Sequence, residues 1–169
     1  MKSVIIVRHT KSDWSHLLPD FERPVREDRK MDAHLIAQEI AIKNSVPQHI
    51  ICSSAIRTHQ TAEMLSKHWG FSTDNITLNR ALYECSAKDI LKVIKNAAPN
   101  HDIIAIVCHN PAITDFVNMY SDTDLANVPT TGAIHIIFDI AEWKNVKGKG
   151  KVNWILFPKE LKKEDINLI

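Results

Sequence analysis

The feature that most constrains this chain is a run of four β-branched residues, Val4 to Val7, followed directly by Arg8 and His9. Continuous β-branched residues predict a short strand that is buried on both faces, as in a parallel sheet. Open α/β sheets bind ligands beyond the carboxyl ends of their strands. A guanidinium and an imidazole at that end therefore indicate a binding site. On this stretch alone, a strand that simply exits to solvent explains them at least as well.

Length and composition restrict the architecture. The chain has 169 residues, 44% of them hydrophobic, which suits one domain over residues 1–169. The formal net charge of +1 argues against nucleic-acid or membrane binding driven by bulk charge. The first apolar run is too short for a signal peptide, and no run approaches membrane-spanning length. Cys52, Cys85 and Cys108 form no CxxC pair, so we expect reduced thiols and a cytoplasmic protein.

Strand and helix patterns alternate along the rest of the chain. Further strands are predicted at 49–52, 76–78 and 103–108, with an antiparallel pair at 133–140 and 152–157. Helices are predicted from Asp28, from Ser53 to about Trp69, from Ser86 to about Ala97, and from Asn110 through Tyr120. This alternation predicts a three-layer α/β/α fold, with a mostly parallel central sheet and helices on both faces.

Local signals predict how these helices begin and which faces they bury. Asp28, a serine directly after the second strand, Ser86 and Asn110 are expected to cap them, with Pro111 at a first helical position. The buried faces are predicted to hold Met31, Leu35, Ile36 and Ile40 in the first helix, and Ile56, Leu65 and Trp69 in the second.

Three strand ends carry the same chemistry. Arg8 and His9 end the first strand, Arg57 lies within one helical turn of the second, and His109 follows the strand at 103–108. In a parallel sheet these ends share one edge, at about 5 Å per strand spacing. Each residue alone is usually structural, but their joint placement is hard to attribute to chance. A guanidinium matches phosphate oxygens, and an imidazole can attack phosphorus, so the set indicates an oxyanion site with no carboxylate in it.

A metal site is the alternative interpretation of the two histidines. The flanking arginines would repel a divalent cation, and no paired carboxylates offer hard ligands, so we expect no metal. The sequence has no P-loop and no G-x-G-x-x-G motif, and we expect no cofactor. Lys11 and Arg23, in the loop after the first strand, are further candidates for ligand contact, or are ordinary solvated charges.

At these residues the sequence resembles the histidine phosphatase superfamily, with Arg8-His9-Thr10 where its Arg-His-Gly signature would stand. It is more closely similar to SixA-like phosphohistidine phosphatases. The similar blocks are 7–12, 20–24, 52–63, 108–111 and 129–133. The resemblance implies a phosphoglycerate mutase-like fold and a metal-independent phosphatase. It also implies that His9 is the nucleophile, forming a phosphohistidine intermediate, and that Arg8, Arg57 and His109 bind the phosphoryl oxygens.

The sequence departs from this pattern at Thr10 and Cys108, where glycine is usual, and both could narrow the pocket. Glu84 is a candidate general acid, unless no acid is used. We expect His9 to react as a neutral imidazole and His109 to act as a cation. The expected substrate is a protein phosphorylated on histidine. The alternatives are a small phosphoester or sugar phosphate, and a catalytically idle phosphate-binding module.

Overall fold

The computed structural model describes residues 1–167 and contains one six-stranded sheet with five α-helices. The strands are β1 (Lys2–Arg8), β2 (His49–Ser53), β3 (Ile76–Asn79), β4 (Ile103–Cys108), β5 (Ala133–Phe138) and β6 (Lys151–Leu156). The helices are α1 (Lys30–Ile42), α2 (Ile56–His68), α3 (Ala87–Lys95), α4 (Ala112–Tyr120) and α5 (Pro158–Asn167). No helix in this part of the chain is long and apolar enough to cross a membrane.

The strand order in the sheet is β3-β2-β4-β1-β5-β6. The first four strands in that order are parallel, β5 runs antiparallel to β1, and β6 runs antiparallel to β5. The predicted mostly parallel sheet with an antiparallel pair at one end is therefore confirmed. Arg8 pairs with Cys108, and Cys52 pairs with Val107. Strands β1, β4 and β2 consequently end almost level with one another at one edge.

Helices cover both faces of the sheet, so the three-layer prediction is confirmed. Alternate residues of β1 point to opposite faces, which is why a continuous apolar run is needed there. One face packs against α3 and α4, through Ile90, Ile94, Ile113, Phe116 and Val117. The other face packs against α1, α2 and α5, through Ile36, Ile40, Leu65 and Leu161. Each large aliphatic side chain buried here contributes about 1.5–3 kcal/mol.

The first helix differs from its prediction at two positions. It begins at Lys30, and Asp28 lies in a 3-10 turn over Glu27–Arg29, where its carboxylate pairs with Arg26 instead of capping. Met31 is 69% exposed, while Asp32 is buried. Asp32 is neutralised by Arg29 and by Lys162 of α5. Because Lys162 comes from the other end of the chain, hydrophobic periodicity could not reveal that Asp32 is buried and Met31 exposed.

The later helices match their predicted caps only in part. Ser86 caps α3 as predicted, in a reciprocal pair with Asp89. Helix α4 begins at Ala112, two residues after Asn110, although the Asn110 side chain still accepts the Thr114 N–H at 3.2 Å. The N-cap residue of α2 is Ala55, whose side chain cannot accept a hydrogen bond, and Ile56 on the first turn is 36% exposed rather than buried. The serine expected to cap α2 is Ser53, the last residue of β2, and its hydroxyl lies 2.7 Å from His109 Nε2.

One buried histidine lies inside the sheet itself. His135, on β5, is only 4% exposed, and within residues 1–167 its Nε2 has no hydrogen-bond partner. Its Nδ1 lies 3.2 Å from the Asn153 side-chain amide. Burial lowers the pKa of His135 to about 4. The folded protein therefore holds this imidazole neutral at pH values where an unfolded chain would protonate it.

We expect the free energy of unfolding to decrease as the pH falls from about 6.5 to about 4, because over that range the unfolded chain binds a proton that folded His135 does not. The substitution His135→Gln removes this group and should lower the pH slope by up to about 1.4 kcal/mol per pH unit. Urea denaturation at a series of pH values measures the slope. His68→Gln, at an exposed histidine, is the matched control. An unchanged slope in His135→Gln would contradict the assignment.

Candidate active site

The level strand ends bring the four predicted side chains together. His9 and His109 follow β1 and β4, and their ring centroids are 5.3 Å apart. Arg57 is the second residue of α2, and its side chain reaches both rings. Arg57 Nε lies 3.4 Å from His9 Nε2, and Nη2 lies 3.3 Å from His109 Nδ1. Arg8, His9 and Arg57 line a common cavity, whereas His109 contacts Arg57 but is not among the residues that line it.

The cavity at this edge has a volume of about 230 Å³. Its lining consists mainly of polar and cationic side chains: Arg8, His9, Lys11, Ser12, Trp14, Asp20, Arg57 and Thr130. Lys11 is therefore at the site, exposed at the rim. Arg23 is not among the lining residues. Its guanidinium stacks on the Trp14 ring at 3.2 Å, so Arg23 supports the rim instead.

The Arg8 guanidinium is only partly satisfied. Nη1 donates to the Val128 carbonyl at 2.9 Å, whereas the buried Nε has no partner within residues 1–167. Burial, together with the nearby Arg57 charge, lowers the pKa of Arg8. Leaving a buried donor without an acceptor costs about 1–3 kcal/mol. An anion in the cavity would provide both an acceptor and a compensating charge for the two guanidinium groups.

The tautomer of His9 follows from its contacts. Nδ1 lies 2.8 Å from the Thr10 carbonyl oxygen, which can only accept, so Nδ1 carries the proton. Nε2 then keeps its lone pair and accepts from Arg57 Nε. Burial, with the Arg57 and Arg8 charges adding to it, lowers the pKa of His9 to about 4. His9 is thus a neutral imidazole near pH 7, with an unprotonated nitrogen next to the cavity.

His109 is also neutral in this structure, whereas the cation expected from the sequence is the form that donates to a bound phosphoryl group. Its Nδ1 accepts from Arg57 Nη2, so its Nε2–H donates to Ser53 Oγ at 2.7 Å. Burial, followed by the neighbouring His9 and Arg57 groups, lowers the pKa of His109 to about 3. Ser53, the serine expected to cap α2, therefore fixes the orientation of this ring.

Thr10 and Cys108 do not line the cavity, so neither larger side chain narrows it. Thr10 is fully buried beneath His9, where its N–H donates to Thr61 Oγ1 and its hydroxyl accepts from Thr131. The Cys108 thiol points to the Leu82 carbonyl and to Cys85. In place of a glycine, Thr10 thus supplies hydrogen bonds that hold the backbone under His9.

Thr131 hydrogen-bonds to the backbone of both Arg8 and His9. It has a φ of 63°, and its N–H is shared between the carbonyl oxygens of Arg8 and His9, at 3.0 and 3.1 Å. A β-branched residue in the left-handed region costs about 1–3 kcal/mol. The next residue, Gly132, leaves no room for a side chain, since a Cβ there would lie 2.9 Å from the Pro129 carbonyl oxygen. The turn is therefore held in one shape against the end of β1.

Asp20 is the site residue that sequence reasoning missed. Its Oδ2 accepts from Arg57 Nη2 at 3.0 Å and from the Tyr83 hydroxyl at 2.8 Å, and its backbone oxygen accepts from Arg57 Nη1 at 2.6 Å. The prediction of a site without a carboxylate is therefore wrong, because the loop after β1 folds back over the cavity. The available signal was the position of Asp20 in one of the blocks that resemble the histidine phosphatases.

Asp20 is held in its charged form. Burial alone would raise the pKa of Asp20, but hydrogen bonds from Tyr83 and Arg57 and the arginine charges outweigh it and lower that pKa. The carboxylate thus occupies guanidinium donors that an external anion would otherwise use. Glu84, the candidate acid, is exposed and lies outside the cavity lining, whereas its neighbour Tyr83 reaches the site through Asp20.

A larger cavity of about 490 Å³ lies near the amino ends of β2 and β4, around the stacked rings of His49 and His101. Its lining includes one lysine and no arginine, so it lacks the cationic character of the smaller cavity. Within residues 1–167, no group of three or more His, Cys, Asp and Glu side chains is arranged to hold a metal ion.

Comparison with known proteins gives a consistent picture of the fold. No family model matches the chain. An uncharacterized chloroplastic protein of Arabidopsis thaliana is 29% identical over 133 residues, which cover 73% of this chain and 61% of that protein. This chain thus spans less than two thirds of the length of that curated relative.

Solved structures match over nearly the whole chain. A protein assigned as phosphohistidine phosphatase SixA from Agrobacterium tumefaciens has a TM-score of 0.79 and 21% identity, covering 93% of this chain and 98% of that one. The protein histidine phosphatase SixA complexed with tungstate has a TM-score of 0.79 and 17% identity, covering 94% and 99%. A mycobacterial glucosyl-3-phosphoglycerate phosphatase has a TM-score of 0.64 and 11% identity, covering 90% and 97%. The chain therefore has the fold of the histidine phosphatases, in the form seen in the SixA structures.

Proposed function

We propose that this protein is a phosphatase that transfers a phosphoryl group to His9 and then to water, with protein phosphohistidine as its substrate. The observation that carries the proposal is the unprotonated Nε2 of His9, 3.4 Å from Arg57 Nε at a cavity bordered by a second guanidinium. A neutral imidazole is a competent nucleophile toward phosphorus, and guanidinium groups bind the oxygens of the transferring group.

In the first step, the His9 Nε2 lone pair attacks phosphorus as the bond from phosphorus to the substrate nitrogen breaks. Arg8, Arg57 and His109 stabilise the oxygens of the transition state. The phosphoryl dianion raises the pKa of His109, so that its Nδ1 takes up a proton and donates to an oxygen. The leaving imidazole is basic and takes a proton from solvent, so this step needs no general acid.

In the second step, a water oxygen attacks the phosphorus of phosphorylated His9, and the bond between phosphorus and Nε2 breaks. The proton of the attacking water passes to solvent, and His9 returns to its neutral tautomer. The Thr10 carbonyl keeps the proton on Nδ1 throughout, because it can only accept that hydrogen bond. Charge compensation by the two arginines makes a divalent ion unnecessary in either step. We also propose that the reaction takes place in the cytoplasm.

The size of the cavity favours a substrate that lies mostly outside it. Pockets that enclose a whole small molecule usually measure about 300–1,000 Å³. The cavity here measures about 230 Å³, room for a phosphoryl group and its immediate neighbours. A phosphohistidine on a protein surface needs no more than that.

An apolar rim supports a protein substrate. We define the rim loop as Trp14, Leu17 and Leu18, which are 68%, 106% and 38% exposed. This loop lies between Ser12 and Asp20, which both line the cavity. Exposed apolar side chains in a cluster mark contact surfaces for other proteins. A sugar phosphate or another small phosphoester, the alternative substrates, would gain little from them.

We expect inorganic phosphate to bind at Arg8, His9, Arg57 and His109. Because the Asp20 carboxylate competes for Arg57, Asp20→Asn should tighten phosphate binding about fivefold, as expected for an ion pair that is half exposed and worth up to about 1 kcal/mol. Isothermal titration calorimetry measures the affinity. Glu84→Gln makes the same charge change outside the cavity and should leave the affinity unchanged. Weaker binding to Asp20→Asn would mean that Asp20 orients Arg57 and does not compete with the anion.

We expect His9→Ala to abolish the phosphorylated enzyme and nearly all turnover. His109→Ala should still form it, but about 10²–10³-fold more slowly, as for the loss of one oxyanion donor. Rapid quench with labelled free phosphohistidine, followed by a test of acid lability, measures both. The exposed His68→Ala is the control. Acid-labile label at wild-type level on His9→Ala would identify another nucleophile, and binding of phosphate without turnover in the wild type would indicate an idle module.

The pH profile and chelation provide independent checks on that mechanism. The acid limb of kcat/KM reports the free enzyme, so it should lie near pH 4, where His9 becomes protonated and loses its lone pair. Ethylenediaminetetraacetate should leave turnover unchanged. An acid limb near pH 6.5 would argue against a neutral His9 nucleophile. A loss of activity in the chelator that one divalent metal restores would argue against the metal-free mechanism.

We expect the rim loop to discriminate between substrates of different size. Leu17→Ser combined with Leu18→Ser, two rim-loop residues that do not line the cavity, should raise KM about tenfold for a folded protein phosphorylated on histidine with phosphoramidate, because burying one large apolar side chain contributes about 1.5–3 kcal/mol. KM for free phosphohistidine should not change. Ile42→Ser, at an exposed residue where α1 ends, is the control. Equal effects on both substrates would favour the small-ester function.

A further inference from the structure

Two thiols lie in contact beside the candidate active site. Cys85 Sγ and Cys108 Sγ are 3.4 Å apart. Cys108 is the last residue of β4 and is buried, whereas Cys85 immediately precedes the cap of α3 and is half-buried. The third thiol, Cys52, packs in the core on the opposite face of the sheet from Cys108. The pair is therefore specific, and Cys52 serves as an internal reference.

We propose that Cys85 and Cys108 form a reversible disulfide when the protein meets a hydroperoxide, and that this bond switches off the adjacent site. The position of the bond carries the argument. Cys108 directly precedes His109, and its carbonyl oxygen accepts the His9 N–H at 3.1 Å. Cys85 lies two residues after Tyr83, whose hydroxyl holds Asp20 against Arg57. The loss of activity rests on the proposed function, whereas the formation of the bond does not.

The first chemical step occurs at Cys85, which is the more accessible sulfur. Its thiolate attacks one oxygen of the hydroperoxide, so a sulfur–oxygen bond forms and the oxygen–oxygen bond breaks. With hydrogen peroxide the leaving hydroxide takes a proton and becomes water, which leaves a sulfenic acid. The hydrogen bond with Cys108 lowers the pKa of Cys85, against the opposing effect of burial, and so favours the thiolate.

In the second step, Cys108 Sγ attacks the sulfur of the sulfenic acid. The sulfur–sulfur bond forms, the sulfur–oxygen bond breaks, and the departing hydroxide leaves as water with the thiol proton. The two thiols have then lost two electrons to one molecule of hydrogen peroxide, which is reduced to two molecules of water. Cys108 is within reach for this step, because no other residue needs to move aside between two sulfurs already in contact.

We expect the bond to shift the segments next to the proposed catalytic groups. A disulfide has a sulfur–sulfur length of about 2.0 Å, so the two atoms approach by about 1.4 Å from their present separation. That movement is shared between the residue before His109 and the loop that carries Tyr83. Displacing a catalytic group by about 1 Å can cost about 10²-fold in rate. We therefore expect oxidation to lower turnover about tenfold or more and dithiothreitol to restore it.

Peptide mapping tests whether the bond forms. The full-length protein is treated with hydrogen peroxide, denatured, alkylated with N-ethylmaleimide and digested without reductant. We expect a linked peptide pair containing Cys85 and Cys108, which dithiothreitol separates, with Cys52 still alkylated. Oxidation of Cys85 to sulfenic or sulfinic acid without the link, or a link through Cys52, would overturn the proposal.

Turnover of the same samples tests the switch. Cys85→Ala and Cys85→Ser should keep the activity of the reduced protein and lose its sensitivity to peroxide, whereas Cys52→Ala should remain sensitive. Full turnover in the linked protein would overturn the switch. Mapping and phosphate affinity need no turnover. If the reduced protein has no phosphatase activity, only the proposed function is contradicted. The effect of the disulfide on the site is then measured by phosphate affinity, which the Cys85–Cys108 bond should lower.

Discussion

The parallel pairing of β1 with β4 is the constraint on which the rest of the site depends. It sets Arg8 level with Cys108, so the next residue on each strand is a histidine at the same edge. The His9 N–H to the Cys108 carbonyl extends that pairing by one bond into the site. Because side chains alternate between faces, a slip of one residue would send the neighbouring core residues to the wrong face. The apolar packing on both faces therefore fixes the distance between the two imidazoles.

This arrangement gathers an excess of positively charged groups at the sheet edge. Two guanidinium groups and two histidines are gathered where burial lowers the pKa of both rings, so each imidazole stays neutral. Asp20 supplies a carboxylate that compensates Arg57, and the Tyr83 hydroxyl holds that carboxylate in place. The buried Nε of Arg8 and the left-handed backbone conformation of Thr131 each add to the free-energy cost of folding. Such features persist when the surrounding structure is stable enough to impose them, and an oxyanion is the ligand that relieves most of them.

The same edge also brings in groups that lie outside the set Arg8, His9, Arg57 and His109. The Cys85–Cys108 contact sits below the site, on the face that packs against α3 and α4, and the rim loop lies above it. The backbone around His9 is thus bonded to β4, to the turn at Thr131 and to α2 through Thr61. A disturbance in any of these elements reaches His9 through one or two hydrogen bonds, so we expect the site to respond to small changes in its surroundings.

The sequence by itself determined the alternation of strands and helices, the mostly parallel sheet and the set Arg8, His9, Arg57 and His109, because local periodicity and strand-end position suffice for these. Only the tertiary structure decided the rest. Asp20 enters the site because a loop folds back over it, and Asp32 is buried because Lys162 arrives from the far end of the chain. His109 is neutral because burial and a facing imidazole act on it together. Each of these depends on contacts between residues distant in sequence, which no local pattern of residues encodes.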